Sequence, residues 1–203
     1  MKYYSDEYLD RYQTFFSRDD FYLLRKHIKE IYDEACEYVK NSSKKLSILE
    51  VGPSTQTFFE NTNTDWLQNN AQQLGHNYCT LDVVGDVDYL GSIEDCSFFK
   101  NETFDVVIIL SVLEHVANPF LAAQEISRIV KPKGKVYIQT PFLYKVHNPT
   151  PNDYWRFTEY AYDQLFSSDF NLNLTTFPEN QRGKNSFPLS YNVIMNKKCM
   201  NKK

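Results

Sequence analysis

Four short stretches of this chain place acid, glycine and hydroxyl residues where the strands of a buried sheet would end. The first, Ile48-Leu49-Glu50-Val51-Gly52-Pro53-Ser54-Thr55, runs an apolar strand into an acid and then a glycine turn. A glycine there lets the backbone pass close to a ligand, and open parallel sheets bind ligands at the carboxyl ends of their strands. The second is Asp82, after Tyr78-Cys79-Thr80-Leu81, a carboxylate placed to accept two hydrogen bonds from a diol such as that of a ribose, or else a solvated loop carboxylate of the kind common at strand ends. The third is Gly91-Ser92-Ile93-Glu94-Asp95, and the fourth is Ser111-Val112-Leu113-Glu114-His115-Val116, directly after the apolar run Phe104 to Leu110. A dinucleotide would need further glycines at positions 54 and 57 so that its pyrophosphate can approach a helix N-terminus. Those positions hold Ser54 and Thr57, which disfavours NAD or FAD.

A fifth stretch gathers polar and aromatic groups. From Phe142 to Phe157, with Pro141, Pro149 and Pro151 to stiffen it, the chain carries His147, Asp153, Tyr154, Trp155 and Arg156. His147 has the chemistry to take a proton from a hydroxyl. Arg156 can clamp a carboxylate or phosphate through two parallel hydrogen bonds, and Tyr154 or Trp155 can stack on a sugar face. The same residues have a purely structural alternative, in which Asp153 and Arg156 pair to pin the loop while the aromatic rings fill core. His115 likewise has two readings, as a proton-transfer group or as a hydrogen-bonder that orders the loop. His27 and His76 read as bystanders.

These stretches have to be positioned by elements that the periodicity of the chain predicts. Apolar residues at three- and four-residue spacing from Asp6 to Val39 predict a helical pair with a break at Ser17 to Asp20. After the polar linker Asn41 to Lys45, short apolar runs alternate with helical stretches, the pattern of a parallel sheet. Strands are expected at Leu46 to Val51, Tyr78 to Leu81, Phe104 to Leu110 and Lys135 to Gln139, with a weaker one near Asp88 to Leu90. Helices are expected from Thr64 to Leu74 before Gly75, from Asn118-Pro119 through Val130, and from Thr158 to near Ser167. Two last strands, Asn171 to Phe177 and Leu189 to Asn196, are joined by a loop rich in turn residues.

Composition bounds the remainder. The chain has 203 residues, 42% hydrophobic and 24% charged, which fits one globular domain. A formal charge of -4 argues against a nucleic-acid partner, since phosphate binding relies on clustered Lys and Arg. Cys36, Cys79, Cys96 and Cys199 lack metal-ligand or redox spacing, so no metal is expected and a reducing, cytoplasmic setting is the simpler expectation. No run approaches the roughly 18 apolar residues of a spanning helix, so no membrane association is expected.

In order and spacing, ILEVGPS, YCTLD, GSIED, FDVVIILSVLEHVANP and RIVKPKGKVYIQTPF resemble the class I S-adenosylmethionine-dependent methyltransferases, nearest to the small-molecule group related to ubiquinone biosynthesis. The resemblance spans about Leu46 to Phe166. It implies an α/β, Rossmann-like fold with a seven-stranded, mostly parallel sheet, a reversed last strand and helices on both faces. On this reading residues 1–45 form a helical extension or lid and residues 46–203 the S-adenosylmethionine-binding domain. Glu50, Gly52, Pro53 and Ser54 would surround the methionine end of S-adenosylmethionine and Asp82 the ribose. Ser92, Ile93 and Glu94 would meet the adenine, and Ser111, Val112, Leu113 and His115 would form the floor near the sulfonium. His147, Asp153, Tyr154, Arg156 and His115 are the candidates for work on the acceptor. Two departures from the family pattern are visible, Ser54 and Gln56 in place of glycines and Ser92 where an acid often stands. The run HNPTPNDYWRFT resembles a subset associated with surface glycan assembly. The implied reaction is therefore methylation of an oxygen on a small-molecule or carbohydrate-like acceptor, with a catalytically inactive binding protein of the same fold as the alternative.

Overall fold

A computed structural model describes residues 18–53, 66–144, 146, 152–177 and 188–199. Seven strands form one sheet: β1 (Ser47–Val51), β2 (Asn77–Asp82), β3 (Tyr89–Leu90), β4 (Phe104–Leu110), β5 (Val130–Pro141), β6 (Phe170–Phe177) and β7 (Ser190–Lys197). Their order is β3-β2-β1-β4-β5-β7-β6. The first five strands pair in parallel, and β7 runs antiparallel to both β5 and β6. This is the expected seven-stranded Rossmann-like sheet with its reversed last strand. Chain direction across the sheet reverses between β1 and β4, which opens a crevice above their carboxyl ends.

Two apolar layers cover the sheet. One face carries Leu49, Val51, Leu81, Val107, Ile109, Val136 and Ile138. Against it lie α3 (Pro119–Ile129) and α4 (Glu159–Phe166), through Ala122, Ile126, Tyr162 and Phe166. The other face carries Leu46, Ile48, Val106, Ile108 and Tyr137, covered by α1 (Arg18–Lys40) and α2 (Trp66–Gln73). The central strands β1, β4 and β5 thus feed both layers through their two-residue alternation, which is why β4 reads as one unbroken apolar run.

Several element boundaries differ from expectation, and the strand expected at Lys135 to Gln139 extends over Val130–Pro141. Arg18, Asp19 and Asp20 are helical and continuous with the rest of α1, so the expected break at Ser17 to Asp20 does not fall on them. The buried row Leu24, Ile28, Ile31, Ala35 and Val39 keeps one helical face down for the length of α1. The helix expected to run through Val130 ends at Ile129, because Val130 already pairs with Phe104 in the sheet. Its start is as expected: the Asn118 side chain accepts from the backbone amides of Phe120 and Leu121, and Pro119 occupies the first turn. Such a cap contributes about 1 kcal/mol.

Candidate active site

Above the reversal point, the carboxyl ends of β1, β2 and β4 enclose a cleft of about 230 Å³. Its wall is built from residues at or just past the ends of four strands, β1 to β4: Val51 and Gly52, Asp82 to Val84, Gly91 to Glu94, and Ser111, Val112, His115 and Val116. Gly52 has φ +63°, and a Cβ there would lie 2.3 Å from Cγ2 of Val112. A side chain is strained on a left-handed backbone and that approach leaves no room for one, so the turn and the floor opposite both favour glycine.

Asp82 ends β2 with its carboxylate at the rim, where Oδ1 accepts the amides of Val83 at 2.6 Å and Val84 at 3.3 Å. Those bonds aim the carboxylate and present the exposed side chains of Val83 and Val84 beside it. Ile93 is buried. Ser92 and Glu94 bind each other, and Glu94 Oε1 also accepts the amide of Asn118 at 2.6 Å. Glu94 therefore ties this wall to the start of α3.

Ser111 is a non-glycine residue at φ +54°, a conformation that ordinary side chains rarely adopt. Its hydroxyl donates to Gln139 Oε1 at 2.7 Å and its amide to the Gln139 carbonyl at 2.9 Å, so β5 holds the strained turn in place. The short helical turn Leu113–His115 follows, and His115 lines the cleft. The Nδ1 of His115 lies 3.0 Å from the carbonyl of Asn152. A carbonyl only accepts, so Nδ1 carries the hydrogen in that bond.

Glu50 lies off the cleft wall. It shares a face with Ile48 and accepts from the Tyr78 hydroxyl at 2.6 Å. Burial pushes its carboxyl above the usual carboxylate range, against the pull of that bond. Pro53 follows Gly52 at the mouth of the turn, while Ser54 and His147 lie outside the described residues.

The loop carrying Asp153 to Arg156 is tightly self-bonded. Arg156 donates to both oxygens of Asp153, at 2.5 and 2.7 Å, and to the carbonyls of Trp155 and Tyr144. The Asp153 side chain is fully buried. The indole of Trp155 donates to the Val116 carbonyl at 2.8 Å, and the amides of Tyr154 and Trp155 both donate to the carbonyl of Glu114. Tyr154 is half exposed and its hydroxyl accepts from Asn152. The loop is thereby fastened to the turn that carries His115. Tyr78, Val83, Val84, Gln139 and Glu114 were missed as contributors, the first four because strand-pair partners and rim residues carry no local motif. Among the described residues, no group of three or more His, Cys, Asp or Glu side chains is arranged to hold a metal ion.

The family described as "Methyltransferase domain" matches residues 16–173, and the chain belongs to that family. A curated relative, the ubiquinone/menaquinone biosynthesis C-methyltransferase UbiE of Pasteurella multocida, is 31% identical over 88 residues. That match covers 43% of this chain and 31% of the relative. Among solved structures, a SAM dependent methyltransferase from Archaeoglobus fulgidus superposes with a TM-score of 0.57 at 12% identity, covering 84% of this chain and 94% of the other. The DszA carbon methyltransferase superposes with a TM-score of 0.58 at 15% identity, covering 84% of this chain and 52% of the other. These structural likenesses bear on the fold.

Proposed function

We propose that this protein binds S-adenosylmethionine in the cleft and transfers its methyl group to a small-molecule acceptor. The observation that carries the reading is the pairing of Gly52 and Val112 across the floor with Asp82 at the rim, at the point where the sheet reverses direction. The cleft fits the donor: a turn without a side chain admits the amino-acid end, Asp82 meets the ribose diol, and Val83 with Ile93 offers apolar surface to the adenine. Ser92 and Glu94 close that end. The bound donor supplies an electrophilic methyl group on a sulfonium.

The chain's own part is then orientation. Well-placed partners recover roughly 7 to 11 kcal/mol of a bimolecular barrier, whereas a general base adds on the order of 10² to 10⁴ in rate. Ser111 and Val112 form the floor, and the loop fastened by Asp153, Tyr154, Trp155 and Arg156 stands beside it as the wall for the acceptor. His115 and His147 are the two imidazoles assigned to the acceptor proton. An oxygen acceptor, including a carbohydrate hydroxyl, suits the stacking surface of Tyr154 and Trp155. A carbon acceptor is favoured by UbiE and DszA, both named as carbon methyltransferases.

The reading is tested by isothermal titration of the protein and of Asp82→Ala with S-adenosylmethionine, S-adenosylhomocysteine and NADH. Binding of the first two, weakened roughly 10- to 100-fold in the variant as a charge-assisted hydrogen bond is lost, is expected. Binding of NADH alone, or of neither sulfur ligand, would overturn the reading.

A further inference from the structure

Glu114 has no task in the arrangement so far, yet it stands one residue from the cleft wall. Its side chain is fully buried, and neither carboxylate oxygen has a hydrogen-bond partner. A buried ionised carboxylate in that condition is costly, so the group is held as the neutral acid. Burial weakens it as an acid, pushing its pKa up to about 8, with its own amide pulling the other way.

The charged and titratable groups around it come from three elements. Asp153 on the acceptor loop disfavours ionisation and Arg156 beside it favours it. Tyr162 of α4 is buried and un-ionised, with its hydroxyl bonded to Thr140. On its own turn, His115 places Nε2 3.9 Å from Glu114 Oε1 while its ring lines the cleft. Nδ1 donates to the Asn152 carbonyl, and Nε2 is the ring nitrogen on the side where the acid lies. An uncompensated acid thus sits behind an imidazole that faces the ligand.

We propose that Glu114 is the charge sensor of the cleft: entry of a sulfonium ligand makes it release its proton to solvent past His115, whereas a neutral thioether ligand leaves the acid protonated. The step balances as a carboxylic acid giving a carboxylate and one proton, which the buffer takes up. The two ligands differ by the one positive charge on sulfur, so the device favours the methyl donor over the spent product. This rests on the reading that the cleft binds S-adenosylmethionine. A unit charge felt through a protein interior over roughly 10 Å changes an acid constant by on the order of tenfold. At pH 7.5 that corresponds to release of about half a proton.

The test is isothermal titration at pH 7.5 in phosphate and in Tris, whose ionisation enthalpies differ, with S-adenosylmethionine and S-adenosylhomocysteine as ligands. The wild-type protein and Glu114→Gln are compared, and titration of the ligands' own amines is common to both. S-adenosylmethionine is expected to release about half a proton more than S-adenosylhomocysteine from the wild type, and this excess is expected to vanish in the variant. Equal proton counts in the wild type overturn the proposal while leaving the cleft reading intact. So does an excess that survives in the variant, which would assign the proton to His115. Binding of neither ligand removes both readings. A measurement on the wild type alone guards against a variant that fails to fold. Its preference for S-adenosylmethionine should rise up to about tenfold between pH 6.5 and pH 9, and a flat ratio would sink the idea.

Discussion

The cleft and the loop fastened behind its His115 turn, the proposed donor and acceptor sides, are built on opposite terms. On the donor side, strand ends and tight turns present groups toward open space: Gly52 with no side chain, Asp82 aimed by two backbone amides, and Val83 and Val84 exposed at the rim. On the acceptor side, the polar groups that look most chemical are engaged with one another. Arg156 spends its guanidinium on Asp153 and two carbonyls, and Trp155 spends its indole on Val116. A loop without secondary structure needs partners for its backbone and for any buried charge, and here its own side chains supply them. A cluster of His, Asp, Tyr, Trp and Arg can therefore describe how a loop is held as readily as what it binds.

The sharpest way to break this contrast is at Gly52. Gly52→Ala brings a left-handed backbone cost of roughly 1–2 kcal/mol and a Cβ at 2.3 Å from Val112. Binding of S-adenosylmethionine is expected to fall below detection in a titration calorimeter. Binding within tenfold of the wild type would show that the floor gives way easily.

On the acceptor side the effect should appear in stability. Arg156→Ala leaves the fully buried Asp153 without its guanidinium, which costs about 3–5 kcal/mol in denaturant unfolding. A loss below about 1 kcal/mol would mean that the pair is not what fastens the loop.

Glu114 links the two sides and predicts a pH dependence. Its pKa in the folded protein is raised from 4.5 to about 8, so the folded protein holds the proton more tightly than the unfolded chain. The sign follows: stability is greatest below the unfolded value and declines as pH climbs from about 4.5 toward 8. At pH 7 the penalty is on the order of 3 kcal/mol. Glu114→Gln should therefore unfold at a higher denaturant midpoint than the wild type at pH 7.5, with the advantage shrinking toward pH 4.5. A constant difference across that range would contradict the assignment.

The smallest effect is expected at Tyr154, which is half exposed and bonded to Asn152 at the surface. Tyr154→Ala should change stability by less than about 1 kcal/mol. A large loss of stability would place its ring in the packing that holds the loop.

Periodicity and turn chemistry were sufficient for most of the framework. β4 could be read residue for residue, since a strand buried on both faces is apolar throughout, and Asn118-Pro119 marked a helix start whose cap is local. The donor-side residues were legible for a similar reason. Gly52, Asp82, Ile93, Ser111 and Val112 each follow a recognisable strand or turn, and the parallel topology brings such ends to one edge. The boundary at Val130 was not legible, because pairing with Phe104 overrides the helical signal beside it.

What the amino-acid order determined by itself was therefore a mostly parallel sheet with glycine turns and polar groups at the carboxyl ends of its strands, since strand period, glycine turns and caps act over a few residues. Tertiary structure alone decided which charges are consumed and which are stranded. Whether Arg156 reaches Asp153, whether Gln139 supports Ser111, and whether Glu114 lies without a partner behind His115 all depend on elements brought together across the fold. Burial and partner geometry, which no local pattern encodes, set the chemistry of those groups.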